Sequence, residues 1–93
     1  MKDFLERFDA LPEGAFDAVY RKARWHAVKS VFADGKSQKL VAERAGGVGY
    51  ISLNLYRLSD GRALLKPCEM PERDVIDFVL GASVGATDRA DRS

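Results

Sequence analysis

In the stretch YISLNLYRL, residues 50–58, the first seven residues alternate between polar or aromatic side chains and aliphatic ones. Successive side chains of a β-strand point to opposite faces, so Ile51, Leu53 and Leu55 share one face and the residues between them share the other. A strand with one aliphatic face is typical of a sheet that packs against other elements on one side only. The aliphatic face is therefore the surface on which we expect amphipathic helices to lie.

Four further stretches have the alternation or the β-rich composition of strands, and short turn signals separate them. They cover residues 15–22, 24–33, 36–45 and 62–67. Asp34-Gly35 and Asp60-Gly61 are hairpin signals, and Pro67 ends the last strand because proline has no N–H to donate. Every connection between strands is of hairpin length, which predicts an antiparallel meander of five strands.

Two helical patterns flank the strands. Residues 2–10 carry an apolar stripe that includes Phe4, Leu5 and Phe8, and a second stripe follows Pro71 and ends at Gly81. The order is α-β-β-β-β-β-α, which predicts a single α+β domain over residues 1–82. Its two helices pack on a curved or partly barrel-like sheet. Residues 83–93 are polar and are predicted to form a flexible C-terminal tail.

The composition and the residue spacing argue against a membrane protein and against a metal-binding protein. No apolar run approaches the length of a transmembrane helix, and the first residues lack the apolar region of a signal peptide, so we expect a cytoplasmic protein with no membrane contact. Cys68 is the only cysteine and His26 the only histidine, and no metal-ligand spacing is present. We therefore expect neither a metal nor another cofactor.

Charge is distributed unevenly although the net charge is only +1. Residues 20–67 contain ten basic and three acidic residues, so this section is strongly positive and the remainder is negative. Such asymmetry indicates either an anionic partner or a basic sheet that faces its own acidic helices.

Aromatic and basic residues are interleaved along the predicted strands. The set is Tyr20, Trp25, Tyr50 and Tyr56 with Arg21, Arg24, Arg57 and Arg62. Single-stranded nucleic acid is bound by such mixtures, because aromatic faces stack on bases and cations follow the phosphates. The candidate binding face consists of Tyr50, Asn54, Tyr56, Arg57 and Arg62. The alternative is that the tyrosines form cross-strand packing pairs and the arginines are solvated.

Cys68 lies between the last strand and the second helix. A thiolate near a helix N-terminus is stabilised by the helix dipole, and Lys66 and Arg73 add positive charge nearby, whereas Glu69 opposes it. The alternative is a small, partly buried residue that fills a strand-to-helix corner.

A wider resemblance involves the same region. Residues 51–58 and 60–71, which end in LLKPCEMP, together with the turn at 33–36 and the loop at 46–47, resemble a family of small bacterial domains. The similarity covers about residues 12–82. Some members of that family bear the name peptide methionine sulfoxide reductase. The resemblance implies Cys68 as the nucleophile and Glu69 as the acid, with an external thiol to resolve the sulfenic acid, since no second cysteine is present.

No complete catalytic constellation can be assembled from the residues themselves. We therefore expect a non-enzymatic module that binds a protein partner through one sheet face. A Cys68-dependent thiol enzyme and a single-stranded nucleic-acid binder are the two alternatives. An edge strand of the sheet could also pair with a second copy to form a homodimer.

Overall fold

A computed structural model describes residues 2–84 and contains two helices and six strands. The elements are α1 (Lys2–Ala10), β1 (Gly14–Tyr20), β2 (Ala23–Phe32), β3 (Ser37–Arg44), β4 (Tyr50–Arg57), β5 (Ala63–Pro67), α2 (Glu72–Gly81) and β6 (Ser83–Val84). The α+β class, the antiparallel sheet and both helices are confirmed.

The sheet is an open meander with one strand more than predicted. Its strand order is β5-β4-β3-β2-β1-β6, so β1 to β5 follow one another and β6 is added beside β1. Ser83 and Val84, which the sequence placed in the tail, pair antiparallel with Val19 and Ala18. The other residues of the predicted tail, 85–93, lie outside the described residues. The sheet remains open and does not close into a barrel.

Both helices pack on the same side of the sheet, which we call the covered face. This face carries Leu40 of β3 together with Ile51, Leu53 and Leu55 of β4, all of them buried as the alternation predicts. From α1 and α2, Phe8 and Phe78 enter the same core and are fully buried. The covered face therefore holds the hydrophobic core of the domain.

A buried lysine joins α1 to the sheet. Lys29 of β2 lies on the covered face, and its Nζ donates to the carbonyl oxygens of Phe8 (2.8 Å) and Leu11 (3.0 Å) at the C-terminal end of α1. The same ammonium lies 4.7 Å from the centre of the Phe8 ring. Burial lowers the pKa of Lys29, while the nearby charge of Asp9 acts in the opposite direction. The positive charge lies at the C-terminal end of α1, where it interacts favourably with the helix dipole.

Candidate interaction surface

The other side of the sheet carries no helix, and we call it the open face. Its side chains form rows across the strands, because residues that are directly paired point to the same side. The central row is Ala15, Val28, Val41 and Ser52; the acidic row is Asp17, His26, Glu43 and Tyr50; the basic row is Ser30, Lys39, Asn54 and Lys66; the aromatic row is Phe32, Ser37, Tyr56 and Leu64. Val19 and Arg24 extend beyond the acidic row.

Large apolar side chains are exposed across the whole open face. Those with more than a third of their surface exposed are Val19, Val28, Phe32, Tyr50, Tyr56 and Leu64. They lie on strands β1, β2, β4 and β5, so the exposure is not confined to one edge of the sheet. Isolated exposed apolar residues are ordinary on proteins, but a face with several of them in neighbouring rows is typical of an interaction surface.

The acidic row forms the wall of a shallow hollow. Nδ1 of His26 lies 2.6 Å from Oδ1 of Asp17 on the neighbouring strand, and Glu43 is paired with His26 on its other side. These residues and the central valines line a hollow of about 460 Å³. The row offers two carboxylates and one imidazole to whatever contacts this end of the face.

The basic row lies on the other side of the central row. Lys39 and Lys66 are exposed, and Asn54 between them is half-buried. The ion pairs found within residues 2–84 involve neither of these lysines, nor Glu43. Opposite charges therefore flank the apolar centre of the open face, and these three side chains have no charged partner within the described part of the chain.

The structure brings three of the five predicted binding residues together. Tyr50, Asn54 and Tyr56 share the open face along β4. Arg57 does not join them, because it lies two residues after Leu55 and so belongs to the covered face. Its guanidinium is hydrogen-bonded to the carboxylate of Asp9 on α1. The alternation of the strand already implied this position, since residues of the same parity share a face.

The fifth residue, Arg62, lies in the turn between β4 and β5. Its Nε donates to Oδ2 of Asp60 at 2.7 Å, and both side chains are exposed. The pair belongs to the turn, and its guanidinium is directed at a local carboxylate.

The predicted aromatic set is also divided between the two faces. Tyr20 and Trp25 lie on the covered face, where they pack against Phe78 with both ring centroids 5.1 Å from it. Of that set, only Tyr50 and Tyr56 lie on the open face, where Phe32 is a further exposed aromatic residue. The mixture of aromatic and basic residues seen in the sequence therefore does not form one continuous platform.

Cys68 lies on the open-face side of the corner between β5 and α2. Its backbone N–H donates to the carbonyl of Ser52 (3.0 Å), which places it beside the central row. Its half-buried Sγ accepts a hydrogen bond from Nδ2 of Asn54 at 3.5 Å. Glu69 is exposed and has a positive φ of 58°. His26 lies on β2, three strands away from β5, which is roughly 14 Å at the usual strand spacing.

A second concavity opens where the β1–β2 and β3–β4 turns approach α2. Its volume is about 390 Å³, and its lining includes Tyr20, Trp25, Arg44, Tyr50 and Asp74. Tyr50 thus stands at the boundary between this concavity and the open face. No carboxylate pair or Cys–His pair occurs in the lining, so the concavity carries no recognisable catalytic set.

Sequence reasoning missed most of the open face. The composition indicated a surface of tyrosine and arginine. Much of the open face is instead formed by Val28, Phe32, Lys39 and Glu43. The period-2 pattern of residues 24–33 and 36–45 contained the necessary signal. Once Trp25 and Leu40 are known to be buried, the residues of opposite parity must lie on the open face.

Neither the remaining features of the structure nor comparison with known proteins assigns a function to the chain. No group of three or more His, Cys, Asp or Glu residues suited to a metal ion occurs within residues 2–84. Neither helix of that segment is long and apolar enough to cross a membrane. No protein-family model matches the chain, and no curated protein or solved structure shows significant similarity to it.

Proposed function

We propose that this chain is a non-enzymatic protein-binding module that acts in the cytoplasm and uses the open face as its contact surface. The observation that carries the proposal is the set of exposed apolar side chains on the uncovered side of the sheet, among them Val28 and Phe32 at 48% and 54% exposure. Burial of such side chains by a partner is favourable by about 25 cal/mol per Å² of apolar area.

The pattern of polarity on the open face supports a protein partner. The valines of the central row lie in the middle, and charged or aromatic residues surround them. Protein interfaces commonly have an apolar centre with a polar rim, and tyrosine is enriched in them. Nucleic acid favours a surface of predominantly positive charge. The open face instead combines Lys39 and Lys66 with the carboxylates of Asp17 and Glu43.

A site-specific photo-crosslinker tests this proposal in the cell. The matched positions are Val28 on the open face and Leu80 on α2, which are 48% and 41% exposed. We expect covalent adducts with a defined protein from Val28 and none with that protein from Leu80. The partner is then purified, and Val28→Glu should weaken its binding by tenfold or more, roughly 1.4 kcal/mol, whereas Leu80→Glu should not.

Two outcomes would count against the proposal. One is that Val28 and Leu80 yield the same adducts, since that would mean the open face has no selective partner. The other is that RNA or single-stranded DNA, and no protein, is recovered at Val28. In that case an oligonucleotide should bind the purified chain at low salt and dissociate at high salt, because phosphate contacts are salt-sensitive.

One observation favours a thiol enzyme as a second candidate: the Asn54 amide donates to Sγ of Cys68. In that reaction the thiolate attacks the sulfoxide sulfur, and Glu69 donates a proton to the sulfoxide oxygen. The oxygen passes to Sγ as a sulfenic acid, and the methionine thioether leaves. An external dithiol then reduces the sulfenic acid and releases water. The test is turnover of a methionine sulfoxide peptide with dithiothreitol. Equal rates for the wild type and Cys68→Ser would exclude this activity.

A further inference from the structure

We infer that the partner of the open face is a second copy of this chain, bound face to face across a two-fold axis that runs along the central row. The inference rests on the proposed function, because it names the partner of the same surface. Three features carry it: the placement of charge on either side of the central row, the apolar character of that row, and the area of the face.

The charged rows are arranged symmetrically about the central row. The acidic row lies two residues along the strands to one side, and the basic row lies two residues to the other, about 6.7 Å away in each case. A two-fold axis along the central row exchanges these two sides. The acidic row of one copy then lies over the basic row of the other, and the two copies contribute the same surface. Glu43 lies over Lys39, and the uncharged residues Ser30 and Asn54 lie over His26 and Tyr50.

Individual residue pairs between the two copies show this complementarity. On β3, Glu43 of one copy lies opposite Lys39 of the other, and the symmetry produces this pair twice. Both side chains are exposed, and the ion pairs within residues 2–84 include neither of them. On β2, Arg24 lies opposite Phe32, where a guanidinium and an aromatic ring attract each other.

An alternative two-fold axis is disfavoured by the same charges. If the axis ran along β3, Glu43 would lie opposite Glu43 and Lys39 opposite Lys39. Like charges placed opposite each other across an interface are repulsive. The axis along the central row avoids this repulsion, and it brings Val28 and Val41 against their own copies at the centre. The packing is that of an aligned β-sandwich, in which the two sheets cross at about −30°.

The area of the face agrees with a dimer of moderate affinity. The six strands contain 40 residues in all. Each residue covers about 16 Å² of a sheet, so the face has an area on the order of 650 Å² for each copy. A standard stable complex buries ~800 Å² per partner. We therefore expect an equilibrium between monomer and dimer that responds to concentration.

Sedimentation equilibrium of the full chain with charge-reversed variants tests the inference. Between about 10 µM and about 1 mM, the wild type should approach twice the monomer mass. Lys39→Glu and Glu43→Lys should each raise the dissociation constant at least tenfold, because each creates two like-charge pairs. The double variant Lys39→Glu/Glu43→Lys should restore dimerisation, and so should an equimolar mixture of the two single variants. Arg73→Glu on exposed α2 is the matched control and should leave the dimer unchanged.

A wild-type chain that stays monomeric at the highest concentration overturns the inference. A dimer that the single charge reversals leave intact, or that the double variant does not restore, overturns it as well and points to pairing through an edge strand. These failures are separable from failure of the proposed function. If the chain is monomeric but Val28 crosslinks selectively to another protein, the binding function stands and only the second copy is wrong.

Discussion

The two faces of the sheet are formed by the same strands but differ in burial: the helices cover one face, and the other is exposed. On the covered face, Leu40, Leu53 and Leu55 are fully buried beneath the two helices. On the open face, the residues that alternate with them include half-exposed Val28 and exposed Lys39 and Glu43. The backbone and its hydrogen bonds are shared, so the difference lies only in the side chains and in what covers them. The apolar burial that stabilises the domain therefore lies on the covered face.

The lysines show the same contrast in a single residue type. Lys29 and Lys39 lie on neighbouring strands, yet Lys29 is 5% exposed and bonded to two carbonyls of the α1 terminus, whereas Lys39 projects into solvent. A charged group acquires a structural role when burial removes it from water and gives it partners. Four predictions, taken from the largest expected effect to the smallest, test this division between the faces.

The largest difference is expected between two phenylalanines. Phe8→Ala on the covered face should lower the free energy of unfolding by about 3–5 kcal/mol, because it removes a fully buried ring from the core. Phe32→Ala on the open face, where the ring is 54% exposed, should cost less than about 1 kcal/mol. Urea denaturation in dilute solution measures both. Equal losses would mean that the open face contributes to the fold as much as the core does.

Replacement of the buried lysine should have an intermediate effect. Lys29→Met should destabilise the domain by about 1–3 kcal/mol, because the carbonyl oxygen of Leu11 loses the Lys29 donor and that of Phe8 keeps only the N–H of Leu11. Lys39→Met is the control on the open face and should change stability by less than about 0.5 kcal/mol. A neutral result for Lys29→Met would show that the cost of burying the ammonium cancels its hydrogen bonds.

The stability of the domain should also depend on pH through Lys29. Burial lowers the pKa of Lys29 in the folded state below its unfolded value. Between these two values the unfolded chain binds more protons, so the contribution of this group to stability rises with pH. The difference in unfolding free energy between the wild type and Lys29→Met should therefore widen as the pH is raised towards 10.5. A difference that narrows over that range would contradict the assigned burial.

The smallest effect is expected at the acidic row. The His26–Asp17 pair is short, but both side chains are more than half exposed. Surface pairs of this kind contribute about 0–1 kcal/mol, so Asp17→Asn should change the free energy of unfolding by no more than that. Chemical denaturation of the isolated chain is sufficient to measure it. A loss above about 2 kcal/mol would place this pair among the structural interactions of the core, against the division proposed for the two faces.

Much of the fold could be predicted because its signals are local. The structure confirms the strand predicted from the alternation within residues 50–58 and both helices predicted from their apolar stripes. Both patterns arise from the side-chain periodicity of a strand or a helix. The position of Arg57 could have been predicted by the same rule. The two-residue strand β6 could not, because Ser83 and Val84 have no alternation of their own and are extended only through their pairing with β1.

The candidate surface could not be predicted from any single strand, because it depends on how the strands pair and on which face the helices cover. Register determines which side chains are neighbours across strands, and it places Asp17, His26 and Glu43 in one row although they are distant in the sequence. Packing of the helices determines which face is left open. The inward direction of Lys29 also follows from packing, because the end of α1 above β2 offers carbonyl oxygens that accept hydrogen bonds from the buried ammonium.

The sequence by itself therefore determined the elements of this protein, their order and the two-faced character of its strands, since these depend on periodicity and turn chemistry between near neighbours. Tertiary structure decided the rest. It added a sixth strand, divided the aromatic residues between the core and the surface, and separated Arg57 from Tyr56. It also aligned opposite charges on either side of the central row. The physical reason is that a side chain's partners across a sheet are set by pairing and by the helices above it.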